Sequence, residues 1–331
     1  MKTEKKYSRK GTKALKENRN IYFKTSCLSG LVAKAGFTLV EVLTTLTIIA
    51  ILIGILLPAL GQVKKFAIEA RQKAQISSID IAANLYKNDF GEYPPSHGSS
   101  FDPLPANDGI NYCGAQTLAE ALVGYDLLGV HRNSVFKANG YDSNSPTPVN
   151  LYPSNPDAVN LSKRKGPYLD RTNIGVFKPK DIFANLTDLK YPDNYVICDA
   201  FAVVSKKIGG KTYKIGTPVL YFRANPSPVN MQLISSTTVD SHLNNIYNYF
   251  DNYPTILTGI NNKKPHKLYE STPNGSTFYN FIRDTMIPIV TPPANSCGRP
   301  VRPDSFILIS AGSDGLYGTN DDICNFEPNF E

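Results

Sequence analysis

Histidine is scarce: the four in 331 residues, His97, His131, His242 and His266, stand far apart in polar or Pro/Gly-rich stretches with no recognisable partner spacing. Catalysis needs titratable groups that converge, and no GxSxG, HExxH, P-loop or dinucleotide fingerprint supplies a nucleus for them. The expectation is therefore a chain that is not an enzyme. Cysteine is also sparse, five in all, with no CxxC and no Cys/His cluster at zinc spacing. A basic surplus is missing from most of the chain, although the formal charge is +7 and the pI is near 9.0. Residues 1–36 hold ten Lys/Arg and two acids, which leaves 25 basic and 26 acidic residues for everything after them. The basic character belongs to the N-terminus, and charge leads to no expectation of a nucleic-acid partner.

What the chain does have is one long apolar run, Phe37 to Leu60, FTLVEVLTTLTIIAILIGILLPAL. Roughly 20 such residues cross a bilayer core as a helix, and this run is apolar all round rather than on one face. Ten Lys/Arg precede it, against Lys64, Lys65, Arg71 and Lys73 on the following flank, so the N-terminus is expected on the cytoplasmic side. The part beyond residue 61 then lies across the membrane, along with Cys113, Cys198, Cys297 and Cys324. An even number there permits two disulfides. Cys297 and Cys324 would close a short C-terminal loop and are the expected pair, with free buried thiols as the alternative.

Glu41 interrupts the apolar run five residues in, where a charge near the bilayer centre costs about 2.5–3.5 kcal/mol and usually has a partner. The segment Ala35-Gly36-Phe37-Thr38-Leu39-Val40-Glu41 resembles the cleavage motif of type IV prepilins and type II secretion pseudopilins. The resemblance implies a leader, 1–36, cut after Gly36 by a membrane prepilin peptidase, and N-methylation of the new terminus at Phe37. It also implies that Glu41 pairs with the terminal ammonium of a neighbouring subunit during assembly. That pairing makes physical sense, because a free α-amine is mostly protonated at neutral pH and would be a lone cation among apolar helices. Pro58, the twenty-second residue after the cut, matches a proline common in such helices, and Gly54 lies one turn before it.

From Gln62 to about Phe90 the chain turns amphipathic, with Val63, Phe66, Ala67, Ala70, Ala74, Ile79, Ala82, Leu85, Tyr86 and Phe90 at helical spacing. Residues 61–90 are expected to continue the membrane helix and to dock on a globular domain, 91–331, with Gly91 and Pro94-Pro95 as the stop. A helix is predicted at Thr117–Leu128 and another near Thr277–Thr285. Strands are predicted at Tyr195–Val204, Thr212–Arg223, Met231–Ser235 and Ser305–Ser310. Gly166-Pro167-Tyr168-Leu169 resembles a segment at which the sheet region of major pseudopilins starts. The fold class expected is α+β and pilin-like: a long N-terminal helix, membrane-spanning in its first half, packed on a small antiparallel sheet. A large loop-rich insertion, 226–303, interrupts it, whose tyrosines and phenylalanines either pack a core or line an interaction surface.

The final loop, Ser310 to Ile323, bends at glycines and gathers Asp314, Asp321 and Asp322. Hard oxygen ligands on a tight turn suit Ca²⁺, though the spacing is not that of an EF-hand; a solvated acidic turn is the alternative. The loop resembles the calcium-binding C-terminal loop of the major pseudopilin, which implies Asp314, Asp321 and Asp322 as ligands to a structural calcium, with carbonyls such as those of Ala311 and Thr319. Tyr317-Gly318 replaces that family's Gly-Gly.

Two functions follow as expectations. The first is a structural subunit of a type II secretion pseudopilus in the bacterial inner membrane, single-pass, its domain periplasmic. It would assemble with itself and other pseudopilins above a secretion ATPase and inner-membrane platform. The second is a minor type IV pilin whose insert binds a surface, a sugar or DNA.

Overall fold

In the computed structural model, the described residues are 36–97, 112–142, 148–172, 174–183, 191–233, 245–258, 266–270, 275–289 and 296–330. Residues 1–35 with Cys27, His242 and the end of the expected strand Met231–Ser235 lie outside them. The chain forms two compact units, Met1–Leu57 and Pro58–Glu331.

In the first unit, residues 36–57 are all exposed, and the long helix α1 (Leu39–Phe90) begins here. Its most apolar stretch buries nothing against protein and is long and apolar enough to cross a membrane. Hydroxyls that would be orphaned in hydrocarbon are satisfied locally: Thr44, Thr45 and Thr47 donate to the carbonyls of Glu41, Val42 and Leu43 at 2.8–3.0 Å.

The second unit is built from short pieces. In chain order they are α2 (Gly114–Val123), β1 (Val130–His131), β2 (Tyr141–Asp142), β3 (Val149–Asn150), α3 (Ala158–Ser162), β4 (Arg164–Lys165), β5 (Gly175–Phe177), α4 (Pro179–Ile182), β6 (Val196–Cys198), β7 (Val204–Ile208), β8 (Lys211–Ile215), β9 (Leu220–Arg223), β10 (Met231–Gln232), α5 (Tyr253–Thr258), α6 (Ser276–Phe281), β11 (Ser296–Gly298), β12 (Phe306–Ser310) and β13 (Ile323–Cys324). The centre is an antiparallel sheet ordered β13-β12-β9, and the other strands pair in twos.

Both faces of that sheet are buried. Strand side chains alternate faces, and cross-strand partners share one. The pair Leu308↔Tyr221 therefore faces one way, with Phe306, and packs on Ile76, Ile79, Ala82, Ala83 and Tyr86 of α1. The pairs Ile307↔Phe222 and Ile309↔Leu220 face the other way, into a second core made largely by the insertion, including Tyr247, Tyr249, Phe278, Tyr279 and Phe281. Of the two readings of the insertion's aromatics, core packing is the one observed. Their polar tips are satisfied inside: Tyr249 Oη donates to the Leu268 carbonyl at 2.8 Å, and Asn245 Nδ2 donates to Tyr279 Oη at 2.8 Å.

The buried stripe of α1 differs from the predicted one. Val63, Phe66 and Leu85 are exposed, while Gln72 and Gln75 are buried. The glutamines have a specific task. Gln75 Nε2 donates to the Cys198 carbonyl and Gln72 Oε1 accepts from Ala200 N–H, each at 2.7 Å, so they satisfy backbone groups at the end of β6. Asp80, farther along α1, takes Arg302 Nη2 at 3.1 Å and Asn325 Nδ2 at 3.3 Å, tying the helix to the C-terminal tail.

Boundaries shifted where backbone geometry intervenes. α2 ends at Gly124, φ +93°, where a Cβ would stand 2.4 Å from the Gly129 carbonyl oxygen. The predicted strand Thr212–Arg223 breaks into β8 and β9 around Pro218, and Tyr195–Val204 into β6 and the start of β7. The expected Cys297–Cys324 bridge is not formed: none of Cys113, Cys198, Cys297 and Cys324 is in a disulfide. Cys297 belongs to the β10–β11 pair and Cys324 to the β12–β13 pair, so the two sit on separate ribbons. Burial pushes the Cys297 thiol up to about 11, the behaviour of an inert core cysteine.

Candidate functional site

Gly36, Phe37 and Thr38 precede the first helical residue, Leu39. The Gly36–Phe37 bond is thus free of the helical hydrogen-bond ladder, and Phe37 is 81% exposed. An exposed, non-helical bond with glycine on its N-terminal side is what a peptidase cleft can admit.

Thr38 and Glu41 form a reciprocal capping box. Thr38 Oγ1 accepts from the Glu41 N–H at 3.2 Å, while Glu41 Oε2 accepts from Thr38 N–H and Thr38 Oγ1, both at 2.9 Å. The first helical bond, Val42 N–H to the Thr38 carbonyl, measures 3.2 Å. A carboxylate here also suits the positive end of the helix dipole. Glu41 is therefore placed within about one turn of Phe37, its carboxylate held on Thr38. Pro58 lies inside α1, which continues through it to Phe90.

The C-terminal loop joins β12 to β13. Gly312, at φ +62°, brings two segments so close that a Cβ would lie 2.3 Å from the Asp321 carbonyl oxygen. Asp321 organises the loop. Its Oδ2 accepts from Ser313 N–H (2.6 Å), Ser313 Oγ (2.7 Å) and Asp314 N–H (3.1 Å), and its Oδ1 from Thr319 Oγ1 (2.7 Å). Burial opposes ionisation of this carboxyl, but the hydrogen bonds from Thr319 and Ser313 outweigh it and hold Asp321 below the usual range. Asp322 takes Gly318 N–H on Oδ2 at 2.7 Å, and burial pushes it up to about 8. Asp314 Oδ1 accepts from Leu316 N–H at 2.8 Å.

The three aspartates thus share one loop, but as it stands their oxygens serve its own N–H and O–H groups. Among the described residues no three His, Cys, Asp or Glu side chains gather closely enough to hold a metal ion. The donor chemistry, carboxylates with neighbouring carbonyls, is that of a calcium site. An ion would have to compete with Ser313 and Thr319 for Asp321.

Tyr317, distinctive in the sequence only for replacing a glycine, is the buried anchor of this loop. It is fully buried, donates from Oη to the Pro218 carbonyl, and lies 4.7 Å from the His266 ring. His266 Nδ1 accepts the Tyr317 N–H at 3.1 Å, and burial pushes this histidine down to about 4, so it stays neutral. A bulky residue in the place of a glycine could have signalled such an anchor.

Residues 32–57 match the family model described as the prokaryotic N-terminal methylation motif. No curated protein and no solved structure matches the chain. The matched segment takes in Gly36, Phe37, Glu41 and most of the apolar run.

Proposed function

We propose that the chain, cut after Gly36 and methylated at Phe37, is a structural subunit of a type II secretion pseudopilus. The observation that carries this reading is the methylation motif at the head of a helix that exposes every residue of its apolar half. An apolar helix without protein cover is stable in a bilayer or against copies of itself, and the two environments exchange during assembly. The subunit would sit in the inner membrane with its N-terminus cytoplasmic and its domain periplasmic. Prepilin peptidase would process it, and it would join itself and other pseudopilins above the secretion platform.

Glu41 is the assembly residue. In the single chain it caps its own helix. A neighbour's terminal ammonium can compete for the same carboxylate, so that two charges are neutralised together. The C-terminal loop is a calcium site in this reading, held through Asp314, Asp321 and Asp322, with the cation relieving the repulsion between adjacent carboxylates. The minor type IV pilin is the second reading, but the insertion's aromatics now belong to the core and no longer favour it.

Mass spectrometry of the membrane form tests the class: a mature N-terminus at methylated Phe37 is expected, and residue 36 still joined to Phe37 would end it. Overproduction should yield filaments that Glu41→Ala abolishes. Filament yield unchanged by that substitution would refute the pairing.

A further inference from the structure

Several basic groups of the domain sit against acids. Lys165 pairs with Asp89, Arg164 with Asp126, Arg223 with Glu92 and Arg302 with Asp80, at 2.7–3.1 Å. The β7–β8 hairpin concentrates four lysines in a short stretch of chain. It carries Lys206, Lys207, Lys211 and Lys214 with no acid from residue 203 to 216, and none of the four makes an ion pair among the described residues.

Gly209 and Gly210, at φ +55° and +84°, close the two-residue turn and set the register. Val204↔Ile215 and Ile208↔Lys211 share the face of Tyr213, which packs on Phe177 with ring centres 6.0 Å apart. Lys206 leans to the Lys180 carbonyl and Lys211 over the Tyr213 ring. The opposite face consists of Ser205↔Lys214 and Lys207↔Thr212, all four exposed. Lys207 and Lys214 stand on the diagonal, their Cα atoms about 7–8 Å apart, with a hydroxyl-bearing residue opposite each. Like charges so placed repel. Keeping strand edges from pairing would need only one charge, of either sign.

We propose that this hairpin face binds the phosphates of a DNA duplex. Lysine, serine and threonine are phosphate-contacting residues, and a two-stranded ribbon fits a major groove about 12 Å wide. The outer face has no Arg, Asn or Gln to read base edges, so binding is independent of sequence. It also has no large apolar residue to insert into a bilayer, so a membrane surface could hold it by charge alone. The site is separate from the methylation motif and from the C-terminal loop.

The ten basic residues of the N-terminal segment would bind a duplex too, so bulk affinity alone cannot decide; lysine acylation of the full chain in nonionic detergent, read residue by residue by mass spectrometry, can. Duplexes of two unrelated sequences should each protect Lys207 and Lys214 several-fold, leaving Lys64 and Lys73 unchanged. Lys207→Gln with Lys214→Gln should lower the slope of log affinity against log salt by about 2, with the near-ultraviolet circular dichroism of the fold retained. Equal reactivity of the two lysines with and without duplex would overturn the proposal. So would stronger protection by a sulfated polysaccharide, or by anionic phospholipid vesicles, at the same charge concentration.

Discussion

Asp199→Asn should flatten a large part of the pH dependence of the domain's stability. The side chain lies at the end of β6 and is 5% exposed. Its Oδ1 accepts the N–H groups of Phe201 and Thr217, each at 3.1 Å, and its Oδ2 accepts from Ser310 Oγ at 3.2 Å. Burial outweighs these bonds and pushes the carboxyl from 3.8 up to about 7. The folded state thus holds this proton more tightly than the unfolded chain does. Its contribution to stability is full below the unfolded pKa, falls as pH rises from about 4, and is lost once pH passes 7. At about 1.36 kcal/mol per pH unit the loss comes to about 4 kcal/mol. Asparagine keeps the two backbone bonds and can donate to Ser310, but has no proton to lose. Asp251, pushed up to about 6 chiefly by burial, contributes in the same direction in both proteins and cancels in the comparison. The assay is urea unfolding of the full chain in nonionic detergent between pH 4 and 8. Tyrosine circular dichroism serves as the signal, since the chain has no tryptophan. Asp199→Asn should match the parent near pH 4 and exceed it by up to about 4 kcal/mol near pH 8. Parallel curves for the two proteins would refute the reasoning.

Phe222→Ala, on the sheet face covered by the insertion, should cost about 3–5 kcal/mol in the same urea assay, because Phe222 is fully buried against Phe278. Gly114→Ala should destabilise by about 1–3 kcal/mol or more, since its Cβ would meet the Tyr221 carbonyl oxygen at 2.1 Å and force α2 off β9. For the C-terminal loop, thermal unfolding in Ca²⁺ and in chelator should give a higher Tm with the ion, and equal values would remove the calcium reading.

The segment with the least tertiary context was the most legible. The motif around Gly36, Phe37 and Glu41 and the apolar run after it are written in charge, size and hydropathy, and these are local properties. Even the Thr38–Glu41 box follows from a four-residue spacing. The strand at 306–310 was legible for the same reason, a run of β-forming residues bounded by turns. The α1 stripe was not. Periodicity nominates apolar residues, whereas Gln72 and Gln75 are buried because β6 ends beside them and leaves backbone groups to satisfy. The acceptor of the Tyr317 hydroxyl and the surroundings of the four thiols escaped likewise, since neither is encoded nearby in the chain.

By itself the sequence determined the apolar helix of membrane-crossing length, the methylation motif at its head, the α+β class, and the loop that carries three aspartates. Tertiary structure alone decided that the insertion closes the second face of the sheet, that no bridge joins Cys297 to Cys324, and that Lys207 and Lys214 share one exposed face of a hairpin. The division has one cause. Hydropathy, charge and turn chemistry act between residues a few positions apart. Burial and pairing depend on which distant segments meet, and that is set only when the whole core packs.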